Sequence, residues 1–205
     1  PAVVVGNSLG SLVGLTTAVF RPELVVAVAA APLPDPTLLT PVPLRRSPWS
    51  RRWQRWLVLL VSRCLPLGLL IAVLRQKPLL RMGLASAYAS GQRIDGELVQ
   101  LIRWPASRSS AGRALGAMVR GMALRPARAT APQLLTRLQQ PMLLLWGRRD
   151  RLVPPVIAQR VVQQAPAGLV HLHWFEELGH CPHDEAPEIF NTALITWLKQ
   201  QSPTR

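Results

Sequence analysis

Cysteine is scarce in this 205-residue sequence: Cys64 and Cys181 are the only two. Two cysteines make no disulfide framework, and no C-x-x-C pattern offers a metal site, so a reducing, cytoplasmic compartment is the expectation. Acidic residues are also few, ten against 24 Lys and Arg, which leaves a net charge of +14. Between Pro41 and Ala131 stand 16 of the basic residues and only two acidic ones, Asp95 and Glu97; the remainder balances at eight and eight. The whole excess therefore belongs to one segment, which marks it for a surface role of its own. Nucleic acid is not the expected partner, because no recognition motif accompanies the charge. The phosphate-cradling patterns G-x-G-x-x-G and G-x-x-x-x-G-K-[ST] are absent. No charged n-region precedes an apolar h-region, so no signal peptide is read, although the first residue is Pro1 rather than Met. Leu57 to Leu74 is apolar almost all round, but Arg63 and Pro66 interrupt it, and it is not read as a transmembrane helix. No internal repeat is visible.

What is present is a hydrophobic fraction of 49%, enough to bury a core in one domain with a large insertion. The sequence opens on PAVVVGNSLGSLVG, Pro1 to Gly14. Val3 to Val5 form a β-branched run suited to a buried parallel strand. Leu12, Val13, Leu15 and Val19 follow at roughly helical spacing, so Gly6 to Gly10 is read as a strand-to-helix turn. A serine inside G-x-S-x-G at such a turn is the nucleophile elbow of serine hydrolases. The turn lifts the Ser8 hydroxyl above the sheet, requires small residues at positions 6 and 10, and aims the Leu9 N–H at a developing oxyanion.

Further strands are read at Val25 to Ala31, Pro141 to Trp146 and Leu169 to Phe175. Helices are read at Ile157 to Gln164 and Glu188 to Lys199, with a polar loop over Glu177 to Pro187. This alternation implies a mostly parallel α/β sheet with crossover helices. A serine needs a base, and the base an orienting carboxylate. Asp150 and His180 each follow a strand, so both stand at the carboxyl edge of the sheet with Ser8, where ligand sites form. Asp35, just past the second strand, is the rival acid, and His183, beside Asp184 and Glu185, the rival base. His171 and His173 alternate within a strand and are read as strand residues facing one side, not as a metal pair. Cys181 is read as a small packing residue, with thiol reactivity beside the base as the other possibility.

Four stretches, VVVGNSLGSLVG, PELVVAVAAAP, QQPMLLLWGRRDRLVP and ELGHCPHDEAPEIFNTALITWL, resemble the α/β-hydrolase superfamily. The resemblance implies that Ser8 is the nucleophile, Asp150 the acid and His180 the base, with no cofactor and no metal. It implies a core from residues 1–32 and 134–205 and a helical cap over 33–133. The GNSLG elbow and the GHCPHDEAPE loop are similar to pheophytinase-like hydrolases, which cleave the phytol ester of chlorophyll-derived pigments. That family carries about four strands before the elbow, whose loops supply a second oxyanion donor. The expectation is therefore the carboxyl-terminal part of a longer hydrolase, or a degenerate relative that lost its front half.

The expected activity is hydrolysis of a carboxylic ester with a lipophilic portion. The alternative is a non-catalytic relative acting as a binding or membrane-surface module. The insertion supports a membrane partner. Trp49, Trp53, Trp56, Leu60 and Cys64 step along one helical face, with Arg51, Arg52 and Arg55 largely off it. Peripheral docking on an anionic membrane competes with a solvated cap whose tryptophans line the pocket.

Overall fold

Apolar runs of β-branched or small residues become neighbouring strands of one parallel sheet. The computed structural model describes residues 1–39, 49, 52–53, 56–60 and 67–201. Its strands are β1 (Ala2–Asn7), β2 (Val25–Ala31), β3 (Met142–Gly147) and β4 (Val170–Phe175), in the order β1-β2-β3-β4, all parallel. The helices are α1 (Leu9–Phe20), α2 (Leu67–Leu74), α3 (Lys77–Ala87), α4 (Gly96–Ala106), α5 (Ala111–Leu124), α6 (Ala131–Leu135), α7 (Val156–Gln164), α8 (Pro182–Glu185) and α9 (Pro187–Gln201). Among the described residues no strand lies between Ala31 and Met142.

Strands β2 and β3 read as continuous apolar runs because both faces are covered. On one face Ala27, Ala29, Ala31, Leu143 and Leu145 pack with Phe175, Phe190 and Trp197, the last two supplied by α9. On the other, Gly14 of α1 stands against Val4 and Val28. All six residues of β3 are buried, Trp146 completely. Fully burying a side chain of Leu size contributes about 1.5–3 kcal/mol, and a one-residue slip would exchange the two faces of the strand, so its register is strongly specified. β1 is an edge of the described sheet, with Val3 and Val5 exposed.

The chain divides into two compact units. One comprises Pro1–Pro41, Ala85–Gly91 and Arg128–Arg205; the other comprises Val42–Leu84 and Gln92–Ala127. The first therefore includes a short piece from the middle of the insertion. In the second unit α2 lies close on α5, where Gly112 approaches the backbone of Gly68. Asp95 caps α4 by accepting from the Leu98 N–H at 2.8 Å. α2 has no buried residue. No helix of the described residues is long and apolar enough to cross a membrane. Cys64, Arg51 and Arg55 lie outside the described residues.

Three local readings of the sequence need correction. The turn is tighter than Gly6 to Gly10: β1 runs to Asn7 and α1 starts at Leu9, leaving only Ser8 between them. The loop over 177–187 contains the helix α8, because Pro182 fits a first helical position and Asp184 and Glu185 favour its N-terminal end. The two glycines of the elbow are also unequal. A Cβ at Gly6 would stand 2.4 Å from the Gly10 carbonyl carbon, whereas one at Gly10 meets nothing within 4 Å among the described residues. Gly6→Ala should therefore cost about 2 kcal/mol or more in urea unfolding, and Gly10→Ala less than about 0.5 kcal/mol. Equal losses at the two positions would refute this packing account.

Candidate active site

The one non-glycine residue with positive φ among those described is Ser8, at φ 53° and ψ −119°. Such a conformation costs of order 1–3 kcal/mol and must be imposed by its surroundings. Two contacts impose it. The Ser8 N–H donates to the Ala31 carbonyl at 2.8 Å, at the end of β2. Ser11, fully buried, donates its hydroxyl to the Gly6 carbonyl at 2.7 Å and accepts from the Ala31 N–H at 3.0 Å. The Ser8 side chain caps no helix N–H, and the Leu9 N–H is the first of α1, without an intrahelical acceptor. A free donor at the positive end of α1 thus lies beside the Ser8 hydroxyl.

Asp150 and His180 meet in a buried pair. Asp150 Oδ1 accepts from the Leu152 and Val153 N–H groups, both at 2.8 Å. That leaves Oδ2 for His180 Nδ1, at 2.9 Å. An ionised carboxylate only accepts, so Nδ1 carries the proton and Nε2 is left as the basic nitrogen. With its amide nitrogen turned to the carbonyls of Ala31 and His180, Asn7 donates to both, the latter at 3.3 Å. The neighbour of Ser8 thereby reaches the backbone of His180. No hydrogen bond joins the Ser8 hydroxyl to His180 among the described residues.

The loop that carries His180 is held on two sides by backbone. A Cβ at Gly147 would stand 2.2 Å from the carbonyl oxygens of both Leu178 and Gly179; one at Gly179 would stand 2.6 Å from the Ala87 carbonyl. The His180 N–H donates to that same Ala87 carbonyl at 2.7 Å. Glu185, buried, accepts from the Gly179 N–H at 2.8 Å and from the Ala89 N–H at 2.7 Å. Tyr88 donates its phenol to Asp184 Oδ2 at 2.5 Å. Burial, and next the bond to Asp184, hold that phenol protonated well above its usual range. Sequence reasoning missed this clamp, because Tyr88 and Ala89 lie 96 residues from their partners. Cys181 sits beside the clamp, and burial with the charges of Glu185 and Asp184 pushes its thiol up to about 11. A thiol held protonated is a poor nucleophile, which agrees with the packing reading of Cys181.

The sequence model of the Alpha/beta hydrolase family matches residues 1–193. The chain belongs to that family. Over 72 residues it is 40% identical to the biotin biosynthesis bifunctional protein BioHC of Teredinibacter turnerae, which covers 34% of this chain and 12% of that one. Over 56 residues it is 34% identical to the chloroplastic pheophytinase of Arabidopsis thaliana, covering 27% and 11%. A thermophilic esterase from Thermogutta terrifontis shares the fold, with a TM-score of 0.65 at 22% identity over 98% of this chain and 65% of that one. The matched stretches thus span about a tenth of the two curated relatives, and the chain covers just under two thirds of the esterase.

In this hydrolase-family chain the rival candidates have other partners. Asp35 is fully buried and accepts from the N–H and hydroxyl of Thr37 and from the Ala131 N–H at 2.6 Å, tying the end of β2 to α6. His183 packs edge-on against Phe190, and burial lowers its pKa. His171 and His173 line one groove with Leu143 and Trp197 of the sheet and α9, and His173 stands edge-on to Phe175.

The clamp generates a test. Gln in place of Glu185 keeps the size but turns one acceptor into an amide donor that faces a buried N–H. Glu185→Gln should lower stability by about 2 kcal/mol and speed hydrogen exchange at the Gly179 and His180 amides. Unchanged stability and exchange would show that Glu185 does not hold the loop.

Proposed function

We propose that this chain carries the nucleophile, base and acid of a serine-dependent hydrolase acting on carboxylic esters with a large apolar portion. Ser8 attacks the ester carbonyl while His180 Nε2 takes its proton. Asp150 holds the imidazole in the required tautomer and stabilises the imidazolium. The Leu9 N–H, at the positive end of α1, stabilises the tetrahedral oxyanion. Collapse expels the alcohol, which leaves with the proton from His180. Water then attacks the acyl-serine by the same route and releases the acid. The observation that carries this reading is the buried Asp150–His180 pair, at the sheet edge that also bears the strained Ser8. The apolar specificity is supported by the similarity to pheophytinase.

A non-catalytic relative is the second reading, favoured by the missing hydrogen bond between Ser8 and His180. Such bonds are often long before substrate binds, so the geometry does not decide against catalysis. An active-site fluorophosphonate probe separates the two. Wild-type protein should be labelled and Ser8→Ala should not. Asp150→Asn should label more slowly, by up to about 10⁴, while Asp35→Asn stays close to wild type once folded. Equal labelling of wild type and Ser8→Ala would reject the nucleophile. No labelling of folded wild type would favour the non-catalytic reading.

A further inference from the structure

The second unit combines charge and apolar exposure in a way that catalysis does not require. A cavity of about 450 Å³ opens between α2, the turn after α4 and the start of α5. Arg75, Arg108 and Arg113 line it, with Ser109, Ile71 and Gly112. None of the three arginines makes an ion pair among the described residues. The Arg108 guanidinium lies over the Trp104 ring, its Cζ 5.1 Å from the centroid, so the indole helps to fix the charged group at the cavity.

α2, which lends Ile71 to the cavity and is followed directly by Arg75, also exposes Leu69, Leu70, Val73 and Leu74. Trp104 is exposed beside Arg108. Trp49, Trp53 and Trp56 of the same unit are exposed, with Trp53 stacked on Trp56 at 5.6 Å. Exposed apolar surface of this extent marks a docking face. Residues 41–131 hold 16 basic against two acidic side chains, so the occupant must be anionic as well as apolar. A nucleic acid offers nothing to cover aliphatic leucines, whereas an anionic lipid surface takes up leucine, tryptophan and arginine together.

We propose that the second unit docks on an anionic phospholipid surface, with the Arg75–Arg108–Arg113 cavity seating a headgroup phosphate. Guanidinium groups pair with phosphate oxygens in a planar fork, which suits three of them to one headgroup. The exposed leucines of α2 and the tryptophans then enter the interface, where aromatic rings are favoured. This does not rest on the catalytic reading, since docking needs no turnover.

Flotation of the 205-residue chain with phosphatidylcholine vesicles, with or without roughly one third phosphatidylglycerol, tests it. Each arginine at the surface contributes about fivefold to partitioning, and salt weakens it. The triple variant Arg75→Gln, Arg108→Gln, Arg113→Gln should therefore bind anionic vesicles about 100-fold more weakly. The triple variant Lys77→Gln, Arg81→Gln, Arg93→Gln removes the same charge elsewhere in the unit and should lose far less. The replaced side chains are exposed or half-exposed, and unchanged melting curves verify that both variants fold. Quenching of tryptophan fluorescence by brominated phosphatidylglycerol should follow the same order. Equal losses in the two variants would overturn the headgroup seat. Equal binding to vesicles of phosphatidylcholine alone, or no binding to either kind, would overturn the docking.

Discussion

Gly147, the last residue of β3, lies so close to the carbonyls of Leu178 and Gly179 that no side chain fits between them. That backbone contact lets the end of a fully buried strand fix the start of the His180 loop. The Arg149 N–H donates to the Leu178 carbonyl at 2.9 Å, and one residue later Asp150 faces His180. The strand thus positions both members of the pair. β3 can do this because it is buried along its whole length and packed on both faces, which leaves it no freedom to slide. The strain at Ser8 is met in the same way, through Ser11 and the end of β2.

Chemistry and surface properties are separated along the chain. The first unit holds Ser8, Asp150 and His180, and outside residues 41–131 basic and acidic side chains balance. The second holds nearly all the excess positive charge and most of the large exposed apolar side chains. A segment that must stay folded while showing tryptophan and leucine to its surroundings needs another source of solubility. The arginines supply it, and within residues 41–131 only Asp95 and Glu97 offset their charge.

Much of the fold was legible because parallel strands buried on both faces leave unbroken apolar runs. β2 spans the residues expected, and β3 and β4 each begin one residue later than expected. The elbow was legible because it is local. Both Asp35 and Asp150 follow strands, so Asp150 could be preferred only through the resemblance of QQPMLLLWGRRDRLVP to the family, and the decisive contacts were not visible. Asp35 contacts Ala131, 96 residues away. The clamp through Ala87, Tyr88 and Ala89 was hidden for the same reason, since those residues carry no motif and lie in an insertion of mostly helical character. The arginine cavity gathers residues from two helices and a turn that only folding brings together. The unequal glycines were misjudged because a sequence shows that a turn is tight without showing which side of it faces backbone.

The central claim is that Asp150 holds His180 in the tautomer that leaves Nε2 basic. Nitrogen-edited NMR of the imidazole tests this directly. A hydrogen-bonded Nδ1 proton on His180 should be resolved in the wild-type protein, persist in Asp35→Asn and vanish in Asp150→Asn. A signal unchanged in Asp150→Asn, or a neutral His180 with its proton on Nε2, would contradict the account.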